Sequence, residues 1–178
     1  MEEANQLLTI GQIAVALAGF AGIIATFQFN KKSNVKRGEA IGLSIIVNFG
    51  LVSAFFSFLP LGLWNFGMST QNIWAISSVL ASVNYFGYIY YIAKHYSKIK
   101  VKKIKSKIKY TLLFLSSGSI ILMLLFNAFN IGLHQEYGPY FISQLFPLFM
   151  ACYMFSLLLL KPIWRSVREN EVENLPKE

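Results

Sequence analysis

The stretch LLTIGQIAVALAGFAGIIATFQF, from Leu7 to Phe29, decides the fold class of this chain. It contains 23 consecutive residues without a charged side chain, and a helix needs about 20 mainly apolar residues to cross the hydrocarbon core of a bilayer. Glu2 and Glu3 precede it where a cleaved signal peptide would carry basic residues. The stretch therefore predicts a transmembrane helix that is retained in the protein.

Four further apolar windows follow along the chain. With the first, they give five predicted spans, at about residues 7–29, 39–61, 73–93, 110–132 and 140–160. Only Glu39, at the start of the second window, is charged. Backbone amides and carbonyls need partners within the segment in lipid, so each window is expected to be helical. We predict an all-α fold in which residues 1–163 form a polytopic membrane bundle and residues 164–178 form a charged tail.

The basic residues are distributed in a way that sets the predicted orientation. All 16 Lys and Arg residues fall in the first connection, the third connection and the C-terminal segment. The N-terminal segment, the second connection at Trp64–Asn72 and the fourth at His134–Pro139 contain none. Short cytoplasmic loops are enriched in Lys and Arg. Five spans therefore place the N-terminus outside and the C-terminus in the cytoplasm.

Two kinds of side chain are expected to organise the bundle. Small residues along the first span, at 14, 18, 21, 22 and 25, predict close helix contact, because small side chains let helix backbones approach in lipid. Aromatic residues near the predicted outer ends predict a belt at the headgroup level, formed by Trp64, Trp74, Tyr137 and Tyr140.

Polar side chains recur on one face of the third span and one face of the fourth. Such groups are costly against lipid, so they are expected to face other helices or water. Interhelical hydrogen bonding is one interpretation, and the lining of a hydrated path by several copies is the other. The candidate residues for this polar face are Ser77, Asn84, Tyr88, Ser116, Asn127 and Asn130.

The fifth span contains a proline at its centre. Pro147 has no backbone N–H, so the carbonyl of Ser143 loses its helical partner. A kink is predicted there, with Gln144 beside it. Broken helices of this kind form sites or gates in some transporters and are purely structural in other proteins.

The segment from Lys94 to Lys109 is the predicted cytoplasmic surface for partners. It contains 8 Lys in 16 residues and no acidic residue. The first expectation is attraction to an anionic inner leaflet, to which each Lys adds about 1 kcal/mol. A cytoplasmic protein or RNA is the alternative partner. The candidate contacts are Lys98, Lys100, Lys102, Lys103, Lys105, Lys107 and Lys109.

The residues that carry most enzyme chemistry are missing from the predicted spans. The chain has no Asp, and no His, Glu, Lys or Arg lies well inside any span. The two histidines, His95 and His134, are placed on opposite sides of the membrane, and Cys152 is the only cysteine. We therefore expect no enzymatic activity, no metal site and no cofactor.

Three segments carry a resemblance to known proteins: IAVALAGFAGIIATF at Ile13–Phe27, LVSAFFSFLPLGLW at Leu51–Trp64 and IWAISSVLAS at Ile73–Ser82. They resemble a widespread family of small, uncharacterised polytopic bacterial membrane proteins, which implies membrane location and no activity. In length, number of spans, basic inner loop and Asp-free composition, the chain is also similar to the multi-span accessory membrane protein of type VI-B CRISPR loci. That second resemblance implies modulation of RNA-guided antiphage immunity.

Three functions follow as hypotheses. The first is a homo-oligomer that forms or regulates a permeation path, as a defence or stress effector. The second is an accessory or scaffold subunit that recruits a cytoplasmic partner through its Lys-rich segment. The third is a small uncoupled transporter with its site near Gln144 and Pro147.

Overall fold

A computed structural model of the chain describes residues 2–31, 37–96 and 104–173. These residues form five α-helices: α1 (Glu2–Lys31), α2 (Arg37–Asn65), α3 (Thr70–Tyr96), α4 (Ile104–Ala128) and α5 (Tyr137–Glu173). Each of the five predicted windows corresponds to one helix, which confirms the all-α prediction.

Three of these helices are long and apolar enough to cross a membrane. They are α1, α2 and α5, whose apolar stretches are Glu2–Phe27, Gly42–Asn65 and Tyr137–Leu160. Among the described residues, α3 does not reach the hydropathy of a membrane span, and α4 contributes the apolar stretch Phe114–Ala128. The prediction of helices long and apolar enough to cross a membrane is thus confirmed for three of the five.

The start of α3 and the end of α4 have recognisable caps. The Ser69 hydroxyl accepts a hydrogen bond from the backbone N–H of Asn72 at 3.4 Å, as an N-cap residue does. At the end of α4, the N–H of Ile131 donates to the carbonyl of Phe126 at 2.8 Å. Asn130 has a φ of 59° there. This is the geometry of a Schellman cap, in which Asn tolerates the left-handed conformation.

This cap corrects the boundary of the fourth predicted window. The window reached residue 132, whereas α4 ends at Ala128. Phe129–Gly132 is apolar enough to continue the helix by composition, but the chain turns at Asn130 and at Gly132, which has a φ of 75°. Asn130 therefore belongs to a turn, and not to the polar face of a helix.

The chain divides into two compact units. Unit 1 comprises Met1–Ala4 and Phe56–Gln144, and unit 2 comprises Asn5–Phe55 and Leu145–Glu178. Unit 1 therefore contains α3, α4, the last part of α2 and the first part of α5. Unit 2 contains most of α1, the first part of α2 and the remainder of α5.

In unit 2, the small residues of α1 form the predicted close contact. A Cβ atom at Gly50 of α2 would lie 2.9 Å from the carbonyl oxygen of Ala14 and 3.2 Å from the Cβ of Ala18. One turn further along α1, Ala21 packs in a buried cluster with Leu43 and Ile46. Four of the five predicted small residues of α1 thus pack within the chain. Gly22 is exposed, and a Cβ there would meet nothing within 4 Å.

We expect the substitution Gly50→Ala to destabilise the protein. The added methyl group would meet a backbone oxygen of α1, which cannot move without shifting the helix. Overpacking of this kind costs about 1–3 kcal/mol, and thermal unfolding in detergent measures it. Gly19→Ala is the matched control, because a Cβ at Gly19 meets nothing within 4 Å. Equal melting temperatures for the two variants would contradict the close contact.

Candidate functional site: a buried polar cluster

The interior of unit 1 contains a group of polar side chains that we call the polar cluster. Its serine and amide members are between 0% and 1% exposed, and its two tyrosines are 8% and 0% exposed. Its members come from four helices, so the cluster joins the helices of unit 1 to one another. It consists of Ser57, Ser77, Ser78, Tyr85, Asn127, Tyr140, Ser143 and Gln144.

The first feature of the polar cluster is a tyrosine that binds a carbonyl freed by proline. Pro60 lies inside α2 and has no N–H, so it cannot bond the carbonyl of Phe56 four residues earlier. The hydroxyl of Tyr140 donates to that carbonyl at 2.5 Å. The side chain of α5 thus supplies the hydrogen bond that α2 lacks.

The second feature is the same arrangement between α3 and α5. Pro147 frees the carbonyl of Ser143 within α5. The hydroxyl of Tyr85, on α3, donates to that carbonyl at 2.5 Å. Since a buried carbonyl without a partner is costly, each tyrosine allows a proline to remain in its helix.

Asn127 is the third feature, and it fixes the connection between α4 and α5. Its Nδ2 donates to the Ser78 Oγ at 3.1 Å and to the backbone carbonyl of Glu136 at 3.0 Å. Its Oδ1 accepts a hydrogen bond from the backbone N–H of Glu136 at 2.9 Å. One amide therefore joins α4 both to α3 and to the residue preceding α5.

Two serine hydroxyls of the polar cluster differ from its other polar groups in their hydrogen bonding. The hydroxyls of Ser57 and Ser77 are buried and have no hydrogen-bond partner among the described residues. Ser57 directly follows Phe56, whose carbonyl accepts the Tyr140 hydroxyl proton. The Ser77 hydroxyl lies within hydrogen-bonding reach of the Tyr140 oxygen but does not form a bond of good geometry with it. Buried hydroxyls usually have a partner, so these two groups are available to bind a polar species.

Aromatic rings cover one side of the polar cluster. Trp74 lies 5.2 Å from Tyr137 and 5.9 Å from Tyr140, measured between ring centroids. Trp74 is 7% exposed and Tyr140 is fully buried, whereas Trp64 is 62% exposed. Trp74 and Tyr140, two residues of the predicted aromatic belt, therefore pack inside unit 1, whereas Trp64 is exposed.

The predicted polar face is divided between interior and surface. Ser77 and Asn127 are fully buried, Tyr88 and Ser116 are half-buried, and Asn84 and Asn130 are exposed. On α3, the same face is buried near Ser77 and uncovered near Asn84. Unit 1 therefore brings Ser77 and Asn127 into the polar cluster and leaves Asn84 outside it.

Two of the three predicted kink residues belong to the polar cluster, whereas none of the predicted lysine contacts does. Ser143 and Gln144 are buried, and the Gln144 amide donates to the Ser143 Oγ at 3.2 Å. The helix α5 continues through Pro147 to Glu173. Lys98, Lys100, Lys102 and Lys103 lie outside the described residues, and Lys105, Lys107 and Lys109 lie on α4.

Tyr85, Tyr140 and Pro60 were absent from the sequence-based candidates for the polar face and the kink, and Tyr140 was expected only in the aromatic belt. Pro60 was visible as a proline inside an apolar window, so a freed carbonyl at Phe56 could have been predicted. Nothing in the sequence spacing indicates that Tyr140, 84 residues away, would supply the donor. The pairing depends on tertiary structure.

Comparisons with protein-family models, curated proteins and solved structures find no match to this chain. The cluster offers neutral oxygen and amide groups in a buried environment. Such groups can exchange hydrogen bonds with water or coordinate a cation whose hydration shell is partly removed.

Proposed function

We propose that this protein is a non-enzymatic integral membrane protein that forms or regulates a permeation path as a homo-oligomer. The observation that supports the proposal is the pair of buried hydroxyls, Ser57 and Ser77, which form no hydrogen bond of good geometry among the described residues. They lie beside the Phe56 carbonyl, which Pro60 frees from α2 and Tyr140 binds. In transporters, interrupted helices place backbone oxygens near the middle of the membrane, where they bind ions or polar substrates. The polar cluster has the same chemical elements.

The proposal includes five membrane spans in a bacterial inner membrane. The apolar helices α1, α2 and α5 are long enough to cross alone. The helices α3 and α4 would cross as a pair, since they pack together and Asn127 bonds Ser78 between them. The basic connections would lie in the cytoplasm beside anionic lipids, with the N-terminus outside.

Flux from vesicles tests the permeation path. The full chain would be purified and placed in vesicles of phosphatidylethanolamine and phosphatidylglycerol loaded with KCl. We expect release of K⁺ or Cl⁻ above the rate of protein-free vesicles, recorded with ion-selective electrodes. Ser57→Ala and Ser77→Ala should each change the rate about fivefold. Each substitution removes a hydroxyl that would bind the permeating species, and one hydrogen bond is worth about 1 kcal/mol.

Ser119→Ala is the matched control for these variants. Ser119 is an exposed serine of α4 whose hydroxyl donates to the carbonyl of Leu115 at 3.0 Å, within its own helix. Its removal should leave the flux unchanged. Vesicles that release neither ion would contradict the proposal, as would Ser57 and Ser77 variants that behave like the control. A silent bilayer would favour the accessory role.

An uncoupled transporter is the second candidate, and one observation favours it. Gln144 and the carbonyl freed by Pro147 both belong to the polar cluster, within unit 1 of a single chain. A transporter binds its substrate at such a site, so its flux saturates as the substrate concentration rises. A channel gives flux that increases nearly linearly, and a concentration series in the same vesicles separates the two.

A further inference from the structure

The uncovered side of α3 presents a polar residue among apolar ones. Leu80 is 44% exposed and Val83 is 63% exposed. Asn84 is also exposed and lies at the middle of α3. In a membrane, this position places an amide at the depth where lipid offers no hydrogen bonds.

Asn84 differs from Asn48, the corresponding exposed amide of α2. The Asn48 Nδ2 donates to the Ser44 carbonyl at 2.9 Å and lies 3.2 Å from the Ser44 Oγ, so its own helix satisfies it. Asn84 has Leu80 four residues earlier, which offers no side-chain partner. No hydrogen bond of the Asn84 side chain is present in the described part of the chain.

The residues around Asn84 form a helix-packing seam. Leu80, Asn84, Gly87 and Tyr91 are all exposed, and they recur at intervals of four, three and four residues along α3. This interval keeps side chains on one stripe and is typical of helices that pair along their length. A Cβ at Gly87 would meet nothing within 4 Å, so a second helix backbone has room to approach there.

We propose that α3 pairs with α3 of a second copy of this chain along this seam, with the two Asn84 amides hydrogen-bonded to each other. An amide carries both donors and acceptors, so Asn84 is its own complement across a two-fold axis. Pairing would also shield the polar side chains of α3 from lipid, and α3 is not apolar enough to be a candidate span by itself. The inference rests on the proposed function, because it names the interface of the proposed homo-oligomer.

Disulfide cross-linking in membranes tests the seam. In a Cys152→Ser background, single substitutions Leu80→Cys, Asn84→Cys and Gly87→Cys should give cross-linked dimers upon mild oxidation. Val79→Cys and Phe86→Cys are the controls, because these positions are exposed on α3 but lie away from the seam. Seam positions should exceed the controls at least about tenfold, since a disulfide needs Cα atoms within about 7 Å.

A second measurement tests the amide pair itself without a cysteine at Asn84. In detergent, Asn84→Leu should raise the dissociation constant of the dimer about fivefold to thirtyfold, the range given by interhelical amide bonds in model peptides. Asn48→Leu should leave it unchanged, because the Asn48 amide is satisfied within its helix. These variants keep the helix apolar and are expected to insert normally.

The outcomes separate this inference from the permeation proposal. Cross-links that follow the seam support the interface whether or not the vesicles release ions. Equal cross-linking at seam and control positions, or no dimer at any of them, overturns the interface even if flux is observed. An unchanged dissociation constant for Asn84→Leu overturns the amide pair.

Discussion

Replacing Asn127 with Ala is expected to lower the free energy of unfolding by about 3 kcal/mol, more than any other single polar substitution in unit 1. The Asn127 side chain is fully buried and makes three hydrogen bonds, one to Ser78 and two to the backbone of Glu136. Each buried group left without a partner costs about 1–3 kcal/mol, and Glu136 is exposed enough for water to recover part of the loss. Thermal and denaturant unfolding in detergent would measure the difference.

A graded series keeps this prediction testable if the Asn127 variant folds poorly. Ser78→Ala removes one of the three partners and should cost about 1 kcal/mol. The double variant should cost less than the sum of the two, because they share a bond. Asn48→Ala is the matched control and should change stability by less than about 0.5 kcal/mol. An Asn127→Ala loss no larger than the control would show that the amide does not hold the connection.

The structural role of Asn127 decides which variants can test the permeation path in vesicles. The sequence groups Asn127 with Asn84 as two amides on polar helix faces, and each was a candidate for lining a path. In the structure, Asn127 holds the α4–α5 connection and Asn84 is exposed. A change of flux on substituting Asn127 would therefore reflect folding, whereas substitutions at Ser57 and Ser77 test the path directly.

The helices were predictable because their signal is local. A window of apolar residues without charge is sufficient to indicate a helix in lipid, and each of the five windows corresponds to one helix. The boundaries were less predictable where the last turns depend on capping. The end of α4 was placed too late because Asn130 adopts a left-handed conformation, which composition does not reveal.

The polar cluster was predictable only in part, because its pairings are not local. Helical spacing placed Ser77 and Asn84 on one face of α3, and that assignment is correct for the helix alone. Spacing does not say where along α3 the neighbouring helices stop covering that face. It also does not identify Tyr85 or Tyr140, whose partners are 58 and 84 residues away.

Replacing Tyr140 with Phe is expected to lower the free energy of unfolding by about 2 kcal/mol, and Tyr85→Phe should do the same. Each substitution keeps the ring and removes only the hydroxyl, which leaves a buried carbonyl without a partner. Tyr153→Phe is the matched control, because Tyr153 is 48% exposed on α5. Unfolding in detergent, followed by circular dichroism, would compare the three variants.

Restoring the missing backbone donor should rescue these losses selectively. Pro60→Ala returns an N–H that can bond the Phe56 carbonyl within α2, so Tyr140→Phe should cost at least about 1 kcal/mol less in that background. Pro147→Ala should rescue Tyr85→Phe in the same way and leave Tyr140→Phe unrescued. If neither proline variant reduces the cost of its tyrosine, the hydroxyls do not satisfy the freed carbonyls. Paired rescue would establish that the polar cluster exists because two of the helices around it are interrupted.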